Sequence, residues 1–365
     1  MSTHAAIATV GTKAALGQIQ VPTITPTGDQ VRIRVEWTAS TPLDLHQNDS
    51  GLMVTHPQVL GDGTAGTVIE IGSEVKRLKI GDKVFGFTWR EQGEKAHQEF
   101  CTTNEWLVAV LPEGFTLAEA VTLPNNFVTV FHSLTTDLGI ETPWPKPAAY
   151  EPKNADQAIL IWGGSSSVGQ FAIQILRFYG FTNILTTASK KHHSKLLSFG
   201  AKHAFDYNSS TVVSEILDAS ENSRGVKWVL DCIGSKNGSC VPIANIVKSG
   251  ARVAILLPVI VQNSSETRDP IYSMDVQAAA DWKDGVDVRG VRTHFYLDNE
   301  FFKYHLQPDI MPTMLKEKTV EPNAQKIIEG KTMLERAQNA MDALRRQEAS
   351  GERLVWRVSD DHASM

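Results

Sequence analysis

In the stretch QVRIRVEWTA, Val31, Ile33, Val35 and Trp37 alternate with Arg32, Arg34, Glu36 and Thr38. That two-residue period predicts a strand with one face on a core and one in water. Short runs with the same look follow at 66–72, 82–88, 97–103 and 106–112, set apart by Gly, Asp and Glu turn signals such as KIGDK. Several short strands at close spacing predict a small barrel or sandwich.

The rhythm changes after residue 114, where LAEAVTLPNNFVTVFHSLTTDLG takes helical spacing on either side of Pro124. TPWPKPAAYEPKNAD then packs four prolines into a short extended connection, since proline blocks both helix and ladder bonds. From Gln157 onward strand and helix alternate: AILIWG, helix 167–179, NILTTAS, helix 191–199, AFDY, helix 211–220, WVLDCIG, helix 239–247 and RVAILL. These strands are nearly continuous apolar runs, as a parallel sheet covered on both faces requires, so this half is expected to be doubly wound. The closing LERAQNAMDALRRQEASGERLVWRV predicts a helix and a last strand that return to the first domain. The expected boundaries are 1–125 and 296–365 for a β domain and 126–295 for an inserted nucleotide-binding domain.

Size agrees with two domains, because 365 residues exceed the roughly 250–300 at which single cores stop growing. The 42% hydrophobic and 21% charged residues are those of an ordinary globular chain. A net charge of −6 gives no global basic field, which argues against nucleic-acid binding. The N-terminus lacks a signal-peptide pattern, no apolar run approaches the ~18–20 residues of a membrane span, and HASM is neither a prenylation box nor a peroxisomal tripeptide. The expected compartment is the cytoplasm, with no membrane partner. Cys101, Cys232 and Cys240 form no CxxC pair, which excludes a four-cysteine zinc lobe and leaves buried thiols as the plain expectation.

AILIWGGSSSVGQFAIQIL, residues 158–176, has a strand before it and a helix after it, the setting of a dinucleotide fingerprint. Gly163 and Gly164 permit a tight turn, Gly169 lets the helix approach the sheet, and the helix N-terminus presents free N–H groups to a pyrophosphate. Ser166 stands where a middle glycine is expected, so the stretch alone reads equally as a serine-rich turn. Between Asp156 and Asp206 there is no Asp or Glu at all. An NAD site places an acidic residue about 20 residues after the glycines, to hold the ribose 2′-hydroxyl. TTASKKHHSK occupies that place instead, and hydroxyl and ammonium donors suit a 2′-phosphate. The expected cofactor is NADP(H), a solvated basic helix start being the alternative. Tyr207, closing AFDY, is placed to pack beside the adenine, to donate to that phosphate, or simply to fill the sheet edge.

Residues 60–86, LGDGTAGTVIEIGSEVKRLKIGDKVFG, and 41–51, TPLDLHQNDSG, resemble the medium-chain dehydrogenase/reductase superfamily. VLPEGFTLAEAVTLP and SGERLVW extend the likeness over nearly the whole chain. The fold implied is α/β, a GroES-like β-barrel domain plus a Rossmann domain with a doubly wound parallel sheet. Zinc-dependent members carry cysteine where Thr41 stands and a histidine–glutamate pair at Asp62 and Gly63. Asp62 and His46 alone do not make a three- or four-ligand zinc site, so no metal is expected.

The remaining branch holds quinone oxidoreductases and enoyl reductases. GGSSSVG, SKKHHSKLLSFGAKHAFDY and ADWKDGVDVRGV are most similar to fungal trans-acting enoyl reductases that serve highly reducing polyketide synthases, the lovastatin-type enzymes. The resemblance implies a cofactor bordered by Leu43, Asp44, Leu45 and His46. It puts Ser165, Ser166, Ser167 and Val168 at the pyrophosphate, Ser189, Lys190, Lys191, His192 and Tyr207 at the 2′-phosphate, and Leu256 and Leu257 beside the nicotinamide. Thr129, Val130, Phe131, His132, Ser133, Leu134, Thr135 and Thr136, with Asp287, Val288, Arg289, Gly290 and Val291, would border the acyl substrate. Periodicity alone makes Phe127, Val130, Phe131 and Leu134 core more readily than pocket.

The implied reaction is NADPH-dependent conjugate reduction of an α,β-unsaturated thioester tethered to an acyl carrier. His46 is the catalytic candidate, although the family often has lysine there and a plain core or surface histidine is the competing reading. NADPH:quinone oxidoreduction and nucleotide binding without turnover are the alternatives.

Overall fold

The computed structural model describes residues 2–220 and 225–359; the closing HASM lies outside them. The chain opens with β1 (Thr3–Thr9), β2 (Gly17–Pro22), β3 (Gln30–Ser40), helix α1 (Pro42–Ser50), β4 (Gln58–Val59), β5 (Gly63–Ile71), β6 (Lys83–Phe87), β7 (Phe100–Asn104) and β8 (Val108–Val110). β3 is the hub, antiparallel to β5 and β7, and its alternate residues Val31, Ile33 and Val35 have no exposed surface. Burying side chains of that size contributes about 1.5–3 kcal/mol each.

Two of the strands start later than their patterning predicts. His97 uses its backbone to accept from Ile7 at 2.7 Å and donate to Leu60 at 3.0 Å, so regular pairing begins at Phe100. Residues Glu105–Leu107 form a 3₁₀ turn, because the Glu105 carboxylate accepts the backbone N–H groups of Lys76 and Arg77. β1 went unread in the sequence: THAAIAT carries alanines where β-branched residues would announce a strand.

α2 (Leu117–Ala120) and α3 (Pro124–His132) follow, then a π-helical turn at Ser133–Asp137. The second half contains β9 (Ala158–Trp162), α4 (Ser167–Tyr179), β10 (Ile184–Thr187), α5 (His193–Phe199), β11 (His203–Phe205), α6 (Val212–Ser220), β12 (Val226–Asp231), α7 (Val241–Ile246) and β13 (Arg252–Leu256). A hairpin of β14 (Val259–Gln262) and β15 (Ile271–Ser273) leads to β16 (Asp287–Val291). The sheet order β11-β10-β9-β12-β13-β16, parallel throughout, is that of a Rossmann fold. β16 had no apolar run to reveal it, since an edge strand tolerates the exposed Arg289 and the polar Asp287.

The chain closes with α8 (Glu300–His305), α9 (Met311–Lys316), β17 (Ala324–Ile327), α10 (Met333–Arg345) and β18 (Glu352–Arg357). β18 pairs antiparallel with β3, Leu354 opposite Ser40. This return buries Arg353 within electrostatic reach of Asp44 on α1 and of Asp62.

Candidate active site

The glycine-serine stretch forms a tight strand-to-helix turn between β9 and α4. Gly163 adopts φ +84°, a left-handed conformation that favours glycine. A Cβ on Gly164 would lie 2.0 Å from Thr186 Oγ1, and one on Gly169 would lie 2.5 Å from the Gly163 carbonyl oxygen. Helix and sheet therefore meet at glycine distance. Ser166 caps α4 by accepting from the Gly169 N–H at 3.1 Å. Ser165, Ser166 and Ser167 stay half-buried at the mouth of the turn, while Val168 is packed in the core. Ser167 also hydrogen-bonds Asn323, whose buried Nδ2 has no partner. A free, glycine-lined helix N-terminus with buried donor capacity fits a pyrophosphate.

At the end of β10, Ser189 and Tyr207 bring their hydroxyls to 3.1 Å, flanked by the exposed Lys190 and Lys191. The nearby Asp206 accepts from the backbone and side chain of Asn208 within its own turn. Those bonds come first in holding its carboxyl below the usual carboxylate value, and the charges of Lys190 and His193 add to them. His192 Nε2 lies 3.0 Å from Ser350 Oγ, joining this corner to the turn before β18. Leu256 ends β13 opposite Val291, and Leu257 seats over Gly290, whose Cβ would come within 2.8 Å of it.

Across the cleft, α1 begins at Thr41, whose N–H donates to Asp44 Oδ2 at 2.8 Å; Asp44 Oδ1 accepts from the Gly61 N–H at 3.0 Å. Asp44 is thus a structural tie. Leu45 packs into the barrel core and Leu43 is half-buried. His46 Nδ1 meets the Tyr272 hydroxyl at 2.6 Å, and burial lowers its pKa to about 4, so the ring is neutral at neutral pH. Its Nε2 makes no protein hydrogen bond among the described residues.

Asp62 stands beside this helix. Its carboxylate is 5% exposed and accepts from Asn125 Nδ2 at 3.2 Å to each oxygen. Burial, then the charge of Asp44, pushes Asp62 up to about 6, with Lys95 and Arg353 opposing. Burial lowers both Lys95 and Arg353 from their usual values. Arg353 Nε and Thr41 Oγ1 are buried without partners. Among the described residues no three His, Cys, Asp or Glu side chains gather around one point.

The α3 segment splits in its exposure. Val130, Phe131, Ser133 and Leu134 have no exposed surface and face the core. Thr129 bonds Thr293 at 2.9 Å, and Thr135 bonds the Phe131 carbonyl oxygen at 2.7 Å. His132 and Thr136 line an open cavity of about 480 Å³ with Asp137, Gly290, Arg292, Phe295, Asp298 and Asn299. Of β16, Gly290 reaches the cavity wall, Val288 and Val291 are buried, and Arg289 pairs with Asp287 at 3.0 Å.

The matches to known proteins follow this geometry. The alcohol dehydrogenase GroES-like domain model covers residues 27–133, and the zinc-binding dehydrogenase model covers 167–256. The trans-enoyl reductase tazE of Aspergillus terreus is 33% identical over 248 residues, 65% of this chain and 78% of that protein. The chain belongs to the medium-chain dehydrogenase/reductase family. The trans-enoyl reductase himH of Aspergillus japonicus is 31% identical over 236 residues, 63% of this chain, and the match spans 66% of that relative's length. Two solved members share the fold: the quinone oxidoreductase from Coxiella burnetii, with 21% identity, 98% of this chain, 100% of that chain and TM-score 0.72, and the CurK enoyl reductase, with 19%, 97%, 98% and 0.71.

A zinc-binding name raises the question of metal in this member of the family. Thr41 offers a hydroxyl and Asp62 is already held by Asn125, a poor tetrahedral donor set. The residues do not fit zinc. Sequence reading missed Lys95, Asn125, Tyr272 and Arg353; of these, Asn125 sat inside the quoted PNNFVTVFHSL and Arg353 inside the quoted SGERLVW, neither with a role assigned to it.

Proposed function

We propose that this chain is an NADPH-dependent trans-acting enoyl reductase that works without zinc. Its substrate would be an α,β-unsaturated acyl thioester carried on a growing polyketide of a highly reducing synthase. We assign residues 1–125 and 296–365 to the catalytic domain and 126–295 to the NADP-binding domain. One observation carries the reading: hydroxyl and ammonium donors occupy the end of β10 in a chain related to proteins named trans-enoyl reductases.

Bound between the two halves, NADPH would supply the hydride to the β-carbon. The protein's part is to hold the nucleotide, through the α4 N-terminus and the Ser189–Lys191 corner, and to orient the thioester. With Tyr272 as donor in the 2.6 Å contact to His46 Nδ1, the imidazole proton would sit on Nε2, where it would donate to the developing enolate oxygen. The acyl chain would take the cavity beside His132 and Thr136.

The test compares a crotonyl thioester with a small quinone, each with NADPH and NADH. NADPH oxidation with the thioester is the expected result. Turnover of the quinone alone would make the chain a quinone oxidoreductase, and NADPH binding without either reaction would make it a non-catalytic nucleotide-binding protein.

A further inference from the structure

We propose that Asp62 is the acid that protonates the substrate α-carbon, with Asn125 fixing its carboxyl and Lys95 balancing the carboxylate left behind. The proposal rests on the enoyl-reduction reading. An ionised carboxylate offers about four acceptor positions. Among the described residues, the Asn125 amide is the single hydrogen-bond donor to Asp62. Asp44, by contrast, is committed to two backbone N–H groups. Asp62 is therefore oriented but has capacity to spare.

The surroundings of Asp62 come from every side of the cleft: Asp44 on α1, Lys95 from the loop before β7, Asn125 on α3 and Arg353 on β18. No ion pair within 4.0 Å ties Lys95 or Arg353 to it among the described residues, although both favour its charged form. Arginine does not give up a proton in proteins, so Arg353 holds field and not acid.

Position along α3 links this carboxyl to the cavity. Asn125 touches Asp62, Thr129 one turn on reaches Thr293, and His132 nearly two turns on lines the cavity. At 1.5 Å per residue these ends lie roughly 10 Å apart. An acyl chain running from the cavity along α3 leads to Asp62. After hydride addition at the β-carbon, the enolate electron pair takes the Asp62 proton: the O–H bond breaks, the α-carbon C–H bond forms, and the thioester carbonyl is restored. Solvent then reprotonates the carboxylate. Burial favours the acid form that this step consumes.

The experiment uses the full-length protein and an α-methyl crotonyl thioester, so that α-protonation creates a stereocentre. Wild type is expected to give one configuration and a rate that falls as pH rises above about 6. Asp62→Asn is expected to lower the rate roughly 10²-fold at pH 6, flatten that profile and give mixed configurations. Carbon-13 NMR of the cofactor-free protein provides a second readout: of the two carboxyls that burial pushes up to about 6, Asp62 and Asp137, the one lost in Asp62→Asn belongs to Asp62. Asn125→Ala is expected to keep that carboxyl while eroding the configuration. An Asp62→Asn variant with wild-type rate and one configuration, or with that titration unchanged, overturns the assignment. A wild-type protein inert toward every enoyl thioester would instead overturn the enoyl-reduction reading beneath it.

Discussion

The Tyr272 hydroxyl lies 2.6 Å from His46 Nδ1, a bond that joins hairpin strand β15 to helix α1 of the GroES-like region. Burial raises Tyr272 to about 12 and lowers His46 to about 4, so both are neutral between those limits. In Tyr272→Phe the buried Nδ1 loses its partner, at a cost of about 1–2 kcal/mol, or roughly 5- to 30-fold. The expected outcome is a fall of that size in kcat/KM, with nitrogen-15 shifts showing a mixed His46 tautomer. An unchanged tautomer would remove Tyr272 from the site.

The Lys190 and Lys191 side chains are exposed, and their ammonium groups make no protein hydrogen bond among the described residues, beside the Ser189–Tyr207 pair. Charge-assisted bonds to a 2′-phosphate contribute roughly 1.5–3 kcal/mol each. Substituting both by Ala is expected to raise the KM for NADPH at least tenfold and to leave that for NADH nearly unchanged. Equal losses for the two nucleotides would show that the corner does not read the phosphate.

A steric prediction concerns the cradle. Gly169→Ala would set a Cβ 2.5 Å from the Gly163 carbonyl oxygen and 2.7 Å from Gly164 Cα, all backbone. Such overpacking costs about 1–3 kcal/mol and must open the β9–α4 turn. Both a lower melting temperature and weaker nucleotide binding are expected, the latter read by fluorescence quenching at a temperature where the variant is folded.

What the sequence made legible was local. The α4 helix announced itself through its period, and the apolar strands β9, β12 and β13 through their length. The cradle and the basic corner each lie within a few residues of chain. The acid cluster does not: Asp62, Lys95, Asn125 and Arg353 are spread across most of the chain and meet only because β18 pairs with β3 and α3 crosses the cleft. Tyr272 was hidden in a different way, in a three-residue strand of a short hairpin, too short to show a period.

The same cluster sets a cost in stability that can be measured without substrate. Asp62 has an ordinary carboxyl pKa of 3.8 when exposed and about 6 in the fold, so the folded state disfavours its charge. Below about pH 4 both states are protonated and nothing is lost. Between about pH 4 and 6 the unfolded chain ionises while the folded one stays largely protonated, and stability falls by roughly 1–3 kcal/mol, levelling off as pH passes 6. Asp62→Asn removes the charge while its amide oxygen can still accept from Asn125. That variant is therefore expected to unfold at higher denaturant than wild type at pH 7.5 and to match it near pH 4. A variant less stable than wild type at pH 7.5 would mean that Lys95 and Arg353 need the carboxylate more than burial opposes it.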